Sequence, residues 1–212
     1  MSLEDTIKLL DYLGTFAFAI SGALKAGRRH MDAFGMFVLA LLTAVGGGTI
    51  RDTLLGRAPV FWLRDMNYLG LCVLATAAVF LLRRVISRAE QPLLIFDAIG
   101  LGVFTVIGTQ LALDSHLAIP AAIGLGCLTG IGGGILRDVL ALSHPVVLHR
   151  EIYAVASLGG AAVLTWLHYL GAPTALSVVA CGAAVVTIRL LSLHYGWALP
   201  SLVGHDQAEQ GE

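Results

Sequence analysis

The chain has 212 residues, 57% of them hydrophobic and only 13% charged, with a mean hydropathy of +0.84 and a formal net charge of −1. A soluble domain is about a quarter charged, so an ordinary water-soluble fold is excluded. The near-neutral balance offers no basic footprint for a phosphate backbone, which excludes nucleic acid as a partner.

A membrane-spanning helix needs roughly 20 mostly apolar residues, so this length accommodates about seven spans joined by short loops. The N-terminal MSLEDTIKLLDYLG lacks the basic region and cleavage site of a signal peptide, and the first apolar stretch is expected to remain in the mature protein. Apolar runs and their charged or Pro/Gly breaks predict helices over 7–26, 33–56, 67–84, 92–113, 118–141, 152–170 and 173–192. The polar tail 193–212 has no apolar periodicity and no function is assigned to it.

Lys25, Arg28 and Arg29 follow the first helix, Arg83, Arg84 and Arg88 the third, and Arg137 and Arg150 bracket the end of the fifth. Against Arg57 and Arg64 on the other side, the positive-inside rule places the N-terminus outside and the C-terminal tail in the cytoplasm of a multi-pass inner-membrane protein. Phe61, Trp62, Tyr68, Trp166, Tyr169, Tyr195 and Trp197 fall near predicted span ends and read as an interfacial aromatic belt. Cys72, Cys127 and Cys181 lie apart in apolar stretches without C-x-x-C spacing and read as reduced packing residues.

The segments GGGTIRDTLLGRAPV from Gly46 and GGGILRDVLALSHPV from Gly132 are related by an offset of 86 residues. The same offset pairs Asp11 with Asp97, Gly14 with Gly100, Phe18 with Phe104, Gly22 with Gly108, Pro59 with Pro145 and Arg64 with Arg150, without insertion or deletion. Matched Arg, Asp, Pro and triple Gly do not arise from apolar low complexity, so the chain is read as a duplication. Because each unit holds three spans, the second enters the bilayer from the opposite face. The expected fold is therefore all-α integral membrane: a first three-helix repeat over 7–84, an inverted one over 92–170, and a seventh helix over 173–192 whose small residues near Ala180–Ala184 suit close packing.

The motif GGG-x-x-R-D carries the chemistry. Three glycines within a span cost about 1 kcal/mol each relative to Ala. They serve either as a flat packing surface or as a break exposing carbonyls at the midplane, and the adjoining ionisable pair favours the break, at Gly46, Gly47 and Gly48 and at Gly132, Gly133 and Gly134. Charges at such depth must be paired or face water, which makes Arg51, Asp52, Arg137 and Asp138 candidate pore or gate charges. Since neighbours on a helix point about 100° apart, Arg51 is expected to meet Asp138 and Arg137 to meet Asp52, as interhelical clamps or along a pathway. Pro59 and Pro145 are expected to mark the ends of the second and fifth spans. Asp11 and Asp97, near the starts of the first and fourth, suit either helix-end stabilisation or ion attraction at a mouth. The seven histidines form no ligand spacing and no nucleophile motif is present, so neither an enzyme nor a structural metal is expected.

The paired GGG-x-x-R-D in a seven-helix frame resembles the bacterial members of the trimeric intracellular cation (TRIC) channel family, also catalogued as glycine-transporter-domain proteins, from Asp11 to about Arg189. The resemblance implies a homotrimer among membrane lipids, with a pore in each subunit for monovalent cations, chiefly potassium with sodium as a second permeant ion, lined by second and fifth helices kinked at the glycine triplets, and without a cofactor. The animal members carry a lysine-glutamate signature and bind phosphoinositide; this chain has Arg51-Asp52 there, so the resemblance leaves lipid regulation open. Local physics pulls the other way, because arginines and half-helix N-termini at the midplane favour a substrate carboxylate, which keeps a secondary transporter of glycine or another small solute as the alternative.

Overall fold

The computed structural model describes residues 3–82, 91–149 and 152–197. Arg83, Arg84, Arg88 and Arg150, on which the expected orientation partly rests, and the tail beyond 197 lie outside the described residues.

Every regular element among the described residues is a helix: α1 (Leu3–Arg28), α2 (Ala33–Leu54), α3 (Phe61–Arg64), α4 (Asn67–Leu81), α5 (Gln91–Asp114), α6 (Ile119–Leu140), α7 (Val146–His149), α8 (Ile152–Tyr169) and α9 (Thr174–Tyr195). Six of them, α1, α2, α5, α6, α8 and α9, are long and apolar enough to cross a membrane; α4 is apolar but has 15 residues. Local chemistry sets the ends. The Asp32 carboxylate accepts from the Gly35 N–H at 2.7 Å and caps α2, Pro120 sits in the first turn of α6, and α9 stops at Gly196 in the left-handed region, φ 63°.

The two matched halves terminate alike. In α2 the Leu55 N–H returns to the Arg51 carbonyl and the Arg57 N–H to that of Asp52; in α6 the Ala141 N–H returns to Arg137 and Ser143 to Asp138. Both helices thus end five residues before Pro59 and Pro145, not at them.

The core forms where α1 packs on α2 and α5, α2 on α6, and α5 on α6, with α9 closing against α5 and α8. At its centre the equivalent residues Phe18 and Phe104 stack on each other, centroids 5.3 Å apart. The three cysteines are free and buried, as expected from sequence.

The glycine triplets correct the expected break. Helical conformation runs without interruption through Gly46–Gly48 and Gly132–Gly134, and all six glycines are buried. A Cβ on Gly47 would lie 2.1 Å from the Thr129 carbonyl oxygen, and one on Gly133 would lie 2.2 Å from that of Thr43, residues that are themselves related by the 86-residue offset. Side chains close the rest: Leu136 against Gly46, Phe61 against Gly48 and Tyr153 against Gly134. The glycines are where α2 and α6 cross in backbone contact, and this close packing offsets their poor helix propensity.

Candidate functional site

Beyond the crossing, on its two opposite sides, the final turns of α2 and α6 each place an arginine and an aspartate in the interior, all four between 1% and 3% exposed. Each arginine bonds the aspartate next to it. Arg51 Nε and Nη2 donate to Asp52 Oδ1 at 2.9 and 2.8 Å, and Arg137 Nε donates to Asp138 Oδ1 at 3.0 Å. The expected exchange of partners between halves, Arg51 to Asp138 and Arg137 to Asp52, does not occur. α2 and α6 run antiparallel where they cross, Thr43 against Gly133 and Gly47 against Thr129, so the two pairs lie on opposite sides of the crossing, and each guanidinium on its long stem reaches back to the aspartate beside it. Each aspartate also accepts a backbone N–H from the short helix beyond its own: Phe61 N–H to Asp52 at 2.8 Å and Val146 N–H to Asp138 at 3.1 Å. These carboxylates therefore tie the connections α2–α3 and α6–α7 to the helix ends.

The halves then diverge. Around Arg137 the network is closed: Nη1 donates to Asp97 and to Ser21, the latter at 2.6 Å, and Lys25 reaches Asp138 at 3.2 Å. The positions matching Ser21 and Lys25 in the other half are Ile107 and Leu111, which supply neither the acceptor nor the cation. Asp11, the counterpart of Asp97, is taken instead by Tyr68, whose hydroxyl donates to its Oδ2 at 2.8 Å. The Arg51 guanidinium lies 5.2 Å from the centre of the Phe61 ring, which packs edge-on to Tyr68.

A cavity of about 620 Å³ opens over this first-half cluster, lined by Asp11, Arg51, Asp52, Phe61, Tyr68, Ile107, Leu111 and Asp114, with Lys8, Arg57, Arg64 and Asp65 among its other residues. Asp65 is bound by the Tyr12 hydroxyl and by Lys8 Nζ at 3.1 Å. Tyr12 first, then the Asn67 N–H, hold its carboxyl below the usual aspartate value.

Three readings of the sequence change here. Asp11 and Asp97 lie too deep for a helix-end role, since the dipole acts within the first turn; both are buried in the charge clusters. Phe61 and Tyr68, read from sequence only as part of a belt, line the cavity, and Trp62 Nε1 donates to Thr49 Oγ1 at 3.1 Å. Arg189 of α9, buried with its guanidinium 4.8 Å from the centre of the Tyr153 ring, was not singled out from sequence because it lies beyond the repeat. Its position alone in a long apolar run was the available signal.

The sequence model described as Glycine transporter matches the chain twice, over residues 8–84 and 94–169. The chain is 43% identical over 194 residues to a UPF0126 membrane protein of Vibrio cholerae, covering 91% of this chain and 81% of that one. It is 40% identical to the UPF0126 inner membrane protein YadS of Escherichia coli K12, covering 91% and 94%. Among solved structures it superposes on the TRIC orthologue of Rhodobacter sphaeroides with a TM-score of 0.85 at 40% identity, covering 91% of this chain and 99% of that one. A prokaryotic TRIC channel crystallised in 0.5 M KCl gives a TM-score of 0.88 at 32% identity, covering 93% and 100%. The chain belongs to the TRIC family. Its family match in two segments falls on the two halves set by the 86-residue offset, and the TRIC core therefore includes both charge clusters.

Proposed function

We propose that this TRIC-family chain is a monovalent cation channel, with potassium as the principal permeant ion, acting as a homotrimer in the inner membrane with one path per subunit. In this reading α4 completes seven spans, the two three-helix halves lie inverted with the N-terminus outside, and the path follows α2 and α6. The observation that carries it is the shared fold with solved TRIC cation channels over more than nine-tenths of the chain.

The charge clusters support it. Buried arginines at the helix ends would repel a cation if they were bare, but Arg51 and Arg137 each bond the aspartate beside them and Arg137 bonds Asp97 as well. The continuous helices at the triplets offer no unwound carbonyls. Dehydration of a cation in the first-half cavity is then offset by the Asp11 and Asp52 carboxylates and the Tyr68 hydroxyl. The glycine crossing of α2 and α6 is the place where these helices meet most closely and where separating them would widen the path.

Purified protein in planar bilayers under asymmetric potassium chloride tests the proposal. Discrete currents reversing near the potassium equilibrium potential are expected, with amplitude reduced in Asp52→Asn. Silent bilayers, together with saturable glycine uptake into liposomes, would overturn it in favour of a carrier.

A further inference from the structure

The first-half cavity holds a cation of the chain's own at its rim. Lys8 Nζ lies 3.1 Å from Asp65 Oδ2 and 5.5 Å from the centre of the Tyr12 ring, and Lys8 and Asp65 both line the cavity. Their side chains are 58% and 22% exposed, so this pair meets solvent, whereas Asp11, Arg51 and Asp52 of the same cavity are buried. Residues other than Lys8 hold the anionic partner in place. The Tyr12 hydroxyl donates to Asp65 Oδ2, the Asn67 N–H to Oδ1 at 3.0 Å, and Asn67 Nδ2 to the Tyr12 oxygen at 3.2 Å. The Tyr12 ring in turn packs edge-on against Tyr68, with centroids 5.1 Å apart. Arg64, also at the rim, donates instead to the Pro59 and Ala58 carbonyls. Leu94 and Ala98 stand at the positions matching Lys8 and Tyr12 in the second half, so the arrangement is not repeated there.

An ion pair this open to water contributes little to stability and exchanges readily with ions in solution. A carboxylate beside an aromatic face is a receptor for a monovalent cation, and the lysine ammonium occupies it as such a cation would. We propose that Asp65 and Tyr12 form an entry site for a monovalent cation at the mouth of the first-half cavity, and that Lys8 is a tethered competitor for that site. This role rests on the conduction reading and adds to it a residue that sets the rate of entry. When ions are scarce, Lys8 holds the carboxylate and entry is slow; when they are abundant, they displace it. Lys8 can leave without disturbing the site, because Tyr12 and Asn67 do more than Lys8 to keep the Asp65 carboxyl below the usual aspartate value.

Single-channel recording from the full-length protein in planar bilayers, at about 20 mM and about 1 M potassium chloride, tests the role of Lys8. At the lower concentration Lys8→Ala should conduct about 1.5- to 5-fold more than the unaltered protein, the range open to a surface ion pair of ordinary strength. At the higher one, where the Debye length is about 3 Å and the ions outcompete the tether, the two should conduct alike. At low salt n-butylammonium, which reproduces the lysine side chain, should return Lys8→Ala to the unaltered level and leave Lys8→Ala/Asp65→Asn unaffected. Lys8→Gln, as a second variant, should match Lys8→Ala. The proposal is overturned if neither variant conducts more than the unaltered protein at low salt, or if n-butylammonium acts equally with and without Asp65. An excess conductance that persists undiminished in the Asp65→Asn background would also overturn it, by making Lys8 a diffuse surface charge. Unchanged currents in the Lys8 variants sink the competitor alone, whereas silence of the unaltered protein sinks the conduction reading and the entry site with it.

Discussion

Gly47→Ala is the sharpest test of the helix crossing. The added methyl would sit 2.1 Å from the Thr129 carbonyl oxygen, against an ordinary contact of 3.4 Å or more, so α2 and α6 must part there by about 1.3 Å. The obstacle is backbone, and no rotamer change relieves it. Overpacking of this kind costs typically about 1–3 kcal/mol, against a gain of about 1 kcal/mol in helix propensity. Gly27→Ala isolates that gain, because Gly27 is helical and exposed, and a methyl there would meet nothing within 4 Å. Thermal unfolding of the purified protein in one detergent, followed by tryptophan fluorescence, should show Gly47→Ala melting below and Gly27→Ala at or above the unaltered protein. For a chain of this size about 1–2 kcal/mol corresponds to a shift of roughly 2–8 °C. If Gly47→Ala melts no lower than Gly27→Ala, the two helices do not rely on backbone contact at this crossing and the packing account of the triplets is wrong.

The closed and open clusters should respond differently to loss of their arginines. Arg137→Met strands Asp97 in the interior, while Asp138 keeps Lys25 and the Val146 N–H, and should cost about 3–5 kcal/mol, read as loss of folded yield or of melting temperature. Arg51→Met should cost less, because Asp11 is held by Tyr68 and not by Arg51, and Asp52 lines the cavity; equal losses would refute the asymmetry. Asp65 gives a pH dependence outside the spans. Its folded carboxyl titrates below the ordinary aspartate value, so its contribution to stability is complete above that value and is lost as pH falls through the folded one. The carboxylate is partly exposed to solvent, which screens it, and the effect should be small. Melting temperature measured from neutral pH down to about pH 3 should decline less in Asp65→Asn than in the unaltered protein.

The repeat was legible because charged, proline and glycine residues fell at a fixed offset, and the same offset locates both clusters in space. The partners of the arginines were not legible. Spacing along a helix fixes where a Cβ points, but Arg51 and Arg137 act at the far end of a stem long enough to defeat it. The role of the glycines was within reach: Thr43 precedes Gly47 by four residues as Thr129 precedes Gly133, a small-xxx-small pattern that marks a helix crossing. The adjoining charges drew the reading toward a break instead. Asp11 and Tyr68 are 57 residues apart, and nothing local in either announces the hydrogen bond that sets the open cluster apart from the closed one.

Phe18 and Phe104 touch, and so do the surroundings of Gly47 and Gly133, so these positions lie against their own duplicates. After a gene doubles, a substitution at such a place is met at once by its twin, and the two copies must change in step. Ser21 and Lys25 belong to the Arg137 cluster and their counterparts Ile107 and Leu111 to the cavity, so these positions meet different neighbours. The seam between the halves keeps its likeness while the clusters beside it differ, so one side of the fold holds a lock and the other a pocket.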